Sequence, residues 1–125
     1  MTNQILPSPA SIEVGENTSP VLDFQMFDAY GAEVDITGDA FQLTVRFLDL
    51  VYPDDTVTRQ SWELAGTIVT ALSGTFQFTL TTEHTSLVPG IYSCEIAWWS
   101  SGVTTQPPRE RFAGTFKIVE RLDAP

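Results

Sequence analysis

Gly90-Ile91-Tyr92-Ser93-Cys94-Glu95-Ile96-Ala97-Trp98-Trp99 decides how this chain is read. Tyr92, Cys94, Ile96 and Trp98 alternate with Ser93, Glu95 and Ala97, the period of two that sends successive side chains to opposite faces of a strand. One face is therefore core and the other is wet. The alternation recurs outward from this stretch in both directions. Leu22, Phe24 and Met26 precede it, as do Phe41, Leu43, Val45 and Phe47, and then Phe76, Phe78 and Leu80. Phe112, Gly114, Phe116 and Ile118 follow it. Weaker strands are expected at Ser11–Val14, Thr56–Trp62 and Thr67–Ala71, the last two joined as a hairpin about Ala65-Gly66.

Turn chemistry separates these runs. Asp28-Ala29-Tyr30-Gly31, Leu72-Ser73-Gly74 and Ser100-Ser101-Gly102 each end on the residue that tolerates a reversed backbone. Thr82–Leu87 is the one segment expected to coil. Short strands with a turn about every ten residues make an all-β sandwich of seven to eight antiparallel strands. The sandwich is expected over 11–120, with residues 1–10 as an N-terminal arm and 121–125 as a tail. Pro7 and Pro9 lack the amide hydrogen that a central strand needs, so the first ten residues read as an arm or an edge contact.

A chain of 125 residues carries one core, burying roughly two-thirds of the surface its unfolded form exposes. Its 42% hydrophobic and 11% aromatic content is too high for disorder. Sixteen acidic side chains against six basic ones give a formal charge of −10, which repels phosphate and argues against nucleic acid or an anionic membrane as partner. The first seven residues hold neither a basic leader nor a long apolar run, and no stretch has the roughly 18 apolar residues of a membrane span, so a soluble protein is expected. The charge is unevenly spread. Seven acids precede the first basic residue, Arg46, whereas Arg109, Arg111, Lys117 and Arg121 crowd the end.

Catalytic equipment is scarce. The single His84 lies in the polar Thr82–Ser86 turn and the single Cys94 is in phase with the core, so they form no dyad, and one cysteine makes no internal disulfide. Asp35 with Asp39, and Asp54-Asp55, are oxygen donors without the spacing of a calcium loop, and zinc ligands do not cluster. No cofactor or metal is expected. Trp98-Trp99 cannot both face inward, so Trp99 points out, either covered by Pro107-Pro108 or free to anchor a partner. If Trp62 and Trp99 shared one open face, they would offer a platform for a carbohydrate, including a host-surface glycan.

Gly90-Ile91-Tyr92-Ser93-Cys94 also sets a tyrosine two residues before a cysteine just after a turn, the tyrosine corner of immunoglobulin-type sandwiches, with the phenol expected to reach back toward Glu83–Leu87. Further motifs appear in order. They are Leu22-x-Phe24, Asp28-x-x-Gly31-x-x-Val34-Asp35-Ile36-Thr37-Gly38, Phe41-x-Leu43-x-Val45-x-Phe47, Gly74-x-Phe76-x-Phe78, Leu87-x-Pro89-Gly90-x-Tyr92 and Gly114-Thr115-Phe116-x-Ile118. From about Gly15 to Val119 the chain thereby resembles the immunoglobulin-like domain found at the N-terminus of the baseplate upper protein of tailed phages, and as small stand-alone virion proteins. The chain departs from that pattern in an acidic Val51–Arg59 loop and in the longer lead Gln106-Pro107-Pro108-Arg109.

The resemblance implies a non-enzymatic structural protein, made in the host cytoplasm and built into the virion. Its partners would be other virion proteins of the tail or baseplate or, as a capsid decoration protein, the major capsid protein, with multiple copies in a symmetric assembly. Contacts are expected at Ile5, Leu6 and Pro7 of the arm, at Asp54 and Asp55, at Trp99, and at Pro107, Pro108, Arg109 and Arg111. Structural roles fall to Tyr92, Cys94, Gly31, Gly38 and Gly90.

Overall fold

The alternating segments become two packed sheets. A computed structural model describes residues 4–6, 10–51 and 56–120, with side chains described for 11–47 and 61–120. In chain order the strands are β1 (Gln4–Leu6), β2 (Ala10–Gly15), β3 (Val21–Met26), β4 (Ala40–Val51), β5 (Thr56–Ala65), β6 (Thr67–Thr70), β7 (Thr75–Thr79), β8 (Gly90–Trp99) and β9 (Glu110–Val119). A one-turn helix, α1 (Thr82–Thr85), lies before β8, within the segment expected to coil. One sheet has the order β1-β3-β7-β6 and the other β2-β9-β8-β4-β5. The runs β3-β7-β6 and β9-β8-β4-β5 reproduce the immunoglobulin arrangement of B-E-D facing G-F-C-C′. β2 pairs in parallel with β9, and β1 in parallel with β3.

The facing sides of the sheets meet through aromatic rings. Phe24 and Phe76 of the first sheet stack at 5.5 Å, Phe76 lies 3.8 Å from Phe41 of the second, and Phe41 continues to Trp98 at 6.2 Å. The interplanar angles are 15°, 8° and 10°, so four rings form one ladder across the core. Phe78 meets Phe24 and Phe76 edge-on, and Ile12, Leu43, Val45, Ile96, Phe116 and Ile118 fill the space around them. Burial of large apolar side chains, at about 1.5–3 kcal/mol each, is the main force holding the sheets face to face.

Several expectations change in detail. Thr56–Trp62 and Thr67–Ala71 do not form a hairpin. β5 pairs with β4 and β6 with β7 in the opposite sheet, because the chain passes between sheets at Gly66, whose N–H bonds to the Phe41 carbonyl at 2.8 Å. A glycine between two extended runs signals either event, and only the long-range partners distinguish them. Most of the Val51–Arg59 stretch read as a loop is also strand, since β4 continues to Val51 and β5 resumes at Thr56; Asp54 and Asp55 lie outside the described residues. Gln4–Leu6, within the stretch read as an arm or an edge contact, takes the second form and pairs with Phe24–Met26 at the sheet edge, while Pro7 lies outside the described residues.

The tyrosine corner is present. The Tyr92 hydroxyl donates to the carbonyl of Val88, one residue beyond the expected range, and partial burial raises its pKa. Cys94 faces the core as a free thiol, and desolvation pushes its pKa up to about 11. Gly31 and Gly38 have φ of +81° and +77°, as their turns require. Gly90 does not share this need: it sits within β8 opposite Ile118 with nothing but the Val88 carbonyl, 4.0 Å away, near an added Cβ.

At the opposite end from these two turns, Thr85 closes the sandwich. It is fully buried; its hydroxyl donates to the Thr18 carbonyl at 2.7 Å and accepts from the Thr18 N–H at 2.9 Å. That satisfies the β2–β3 connection without a strand partner. Two measurements check this account. Tyr92→Phe is expected to cost about 0.5–1.5 kcal/mol in denaturant unfolding, the net worth of one hydrogen bond. At pH 8 the native Cys94 thiol should alkylate roughly a hundredfold more slowly than in denatured protein, since a rise from 9.0 to about 11 depletes the thiolate by that factor.

Candidate functional site

Three connections gather at the end of the sandwich where β3 and β8 finish and β4 and β9 begin. They are residues 27–39, the turn at Ala71–Ser73, and residues 100–109. Backbone bonds lock the first two together: Met26 N–H to the Gly74 carbonyl and Ile36 N–H to the Ala71 carbonyl, both 2.9 Å. The first loop organises itself around its carboxylates. Asp28 Oδ1 accepts the N–H groups of Tyr30 and Ala32 at 2.8 and 2.9 Å. Asp35 accepts from the Thr37 hydroxyl at 2.5 Å and the Thr37 N–H at 3.0 Å, bonds that hold its carboxyl below the usual range.

Asp39 joins the first and third loops. Its Oδ2 accepts from the Trp98 indole N–H at 2.9 Å and its Oδ1 from the Ser101 N–H at 3.1 Å. Asp35 and Asp39, read above as candidate cation donors, therefore have carboxylate oxygens engaged by the protein's own donors. Among the described residues no group of three or more His, Cys, Asp or Glu is arranged to hold a metal.

Between the loops lies a groove of about 450 Å³. Met26, Val34 and Trp98 form its apolar floor, and Asp28, Glu33, Arg109 and Glu110 its charged rim. The Arg109 guanidinium carbon is 4.3 Å from the centre of the Trp98 ring, so a cation caps the aromatic ladder where it reaches the surface. Tyr30 stands at the loop tip with 96% of its surface exposed, and Leu72 and Val103 are exposed on the other two connections. An apolar floor, a charged rim and exposed apolar tips suit contact with another protein.

The expected contact residues divide. Arg109, Arg111 and Pro107 are exposed at this end and Pro108 is partly so. Arg111 pairs with Glu95, leaving Arg109 at the groove. Leu6 and Ile5 stand in register with Met26 and Gln25, which brings the backbone of β1 to the same end. The β4–β5 connection that holds Asp54 and Asp55 leaves from the far ends of those strands.

Of the two readings of Trp99, the free partner anchor is corrected. The side chain points to the outer face as expected but is only 7% exposed, with its indole N–H donated to the Gln106 carbonyl at 2.7 Å, so it anchors the loop that leads into Pro107-Pro108. Trp62 lies on the opposite, inner face, paired with Val45 and edge-on to Phe116. The two tryptophans therefore make no common carbohydrate platform. His84 packs on Trp62 at 4.6 Å and its Nδ1 accepts the Thr81 N–H, a capping role.

Asp39 is the residue whose role sequence reasoning missed. The available signal was Trp98, an inward indole at a strand end that requires an acceptor. Asp39→Ala is expected to cost about 1–3 kcal/mol by orphaning that donor, whereas Asp39→Asn, which keeps an acceptor, should cost less. Thermal or denaturant unfolding measures the difference.

No protein-family model matches the chain, and no characterised protein matches it in sequence. No helix among the described residues is long and apolar enough to cross a membrane. Among solved structures, the chain is similar to one described as the N-terminal domain of phage TP901-1 ORF48, with a TM-score of 0.55, 10% identity, and 95% of this chain and 94% of that chain covered. At that identity the likeness is one of fold: this chain is an all-β sandwich built like a phage protein domain.

Proposed function

We propose that this protein is a non-enzymatic structural component of a tailed bacteriophage virion, docked on the tail or baseplate through the loop end of its sandwich. The observation that carries this reading is a fold likeness to a phage protein domain that spans nearly all of both chains. It agrees with the motif resemblance, which rests on separate residues in order along the sequence. The groove supports the docking part, because it offers apolar floor and mixed charge on loops that a rigid scaffold holds. Copies would be made in the host cytoplasm and arranged by the symmetry of whatever they join. A capsid decoration protein is the second reading, favoured by the −10 charge, which suits a solvent-facing shell.

Mass spectrometry of purified particles is expected to find the protein, and its absence from them would sink the proposal. Arg109→Glu combined with Arg111→Glu is expected to lower incorporation several-fold. Stability should fall by only about 1–3 kcal/mol, since one surface cation–π contact is lost and the Arg111 pair with the mostly covered Glu95 becomes a like-charge contact. Normal incorporation of that variant would take the basic segment out of the interface.

A further inference from the structure

Among the described residues the sandwich has four edge strands, β1, β6, β2 and β5, of 3, 4, 6 and 10 residues. β5 is the longest. Its pairing with β4 runs without a bulge from Gln42↔Ala65 to Val51↔Thr56, and the strand contains no proline. β4 pairs with β8 only as far as Arg46↔Ser93, so among the described residues Phe47–Val51 and Thr56–Gln60 continue as a ribbon without a third strand in register. A two-stranded ribbon alone is marginal in water, and a long, straight edge is a template for another strand.

We propose that β5 pairs antiparallel with β5 of a second copy of this chain, about a two-fold axis at Ser61. Charge selects both the occupant and the register. Arg59 and Glu63 are the charged residues of β5 and lie symmetrically about Ser61. An axis at Ser61 sets Arg59 of each copy opposite Glu63 of the other, twice over, whereas an axis one residue away in either direction makes neither pair. In a chain of charge −10, this edge is locally neutral, so a second copy meets no like charge along it.

Trp62 is a second, independent observation on the same strand. Its indole N–H is buried with no hydrogen-bond partner among the described residues. The proposed register puts Trp62 opposite Gln60 of the other copy, a residue type that carries an amide oxygen able to accept. The contact is isologous and closes at two, joining two five-stranded sheets into one of ten.

Sedimentation equilibrium on the isolated protein, from micromolar to millimolar, tests this separately from incorporation into particles. The unaltered chain is expected to dimerise. Arg59→Glu alone and Glu63→Arg alone should each weaken the dimer by about tenfold, because like charges then face each other at both positions. An equimolar mixture of the two variants should regain it as a heterodimer, since opposite charges are restored at both pairs. Unchanged melting of each variant confirms that the fold is intact. A monomer at every concentration, a dimer indifferent to both substitutions, or variants that fail to pair when mixed would each overturn the proposal.

Discussion

The stack of Phe24, Phe76, Phe41 and Trp98 is the contact on which the rest of this molecule depends. It crosses from one sheet to the other, and each ring comes from a different strand, so the two sheets cannot slide without unstacking it. Close-packed rings resist such movement because small displacements forfeit much of their dispersion contact. The ladder also has a direction. It begins inside the first sheet and ends at Trp98, where Asp39 holds the indole edge and Arg109 covers its face. The groove is thus built in part on the last rung of the core, with Trp98 in its floor.

That arrangement separates two jobs within one short chain. The strands supply a fixed frame, and residues 27–39 and 100–109 supply the varied surface, tied to the frame by Asp39 and by the Trp99 indole on Gln106. The Asp28 carboxylate likewise holds the backbone of the turn that presents the exposed Tyr30, so that backbone is already placed before any partner arrives. A carboxylate that looks like solvation in composition is here the fastening between core and loop.

The sequence was most legible where one physical signal sufficed. Strict alternation located β3, β4, β7, β8 and β9, and the pairing of Tyr92 with Cys94 located the corner. It was least legible where the answer depended on a distant partner. Asp39 and Trp98 are 59 residues apart, and nothing local to Asp39 distinguishes a clamp from a cation donor. Gly66 reads equally as a hairpin turn or as a crossing between sheets, and its hydrogen bond to Phe41 decides the matter. Trp99 obeyed the alternation rule and still proved inaccessible, because orientation toward the outer face does not say what lies over that face. The charge asymmetry was visible, yet Arg109 and Arg111, two residues apart, take different roles: one caps a ring and the other pairs with Glu95.

The parallel pairing of β2 with β9 carries a mechanical consequence. Tension applied ahead of Ala10 and beyond Val119 pulls these neighbours in opposite directions along their common axis. The register from Ala10↔Gly114 to Gly15↔Val119 is then loaded in shear, with the ladder sharing the force at once. An antiparallel pair pulled from the same end would instead open one bond at a time, like a zip. Tensile strength in this sandwich is therefore set by which way its second strand runs, a property that neither its charge nor its core would reveal.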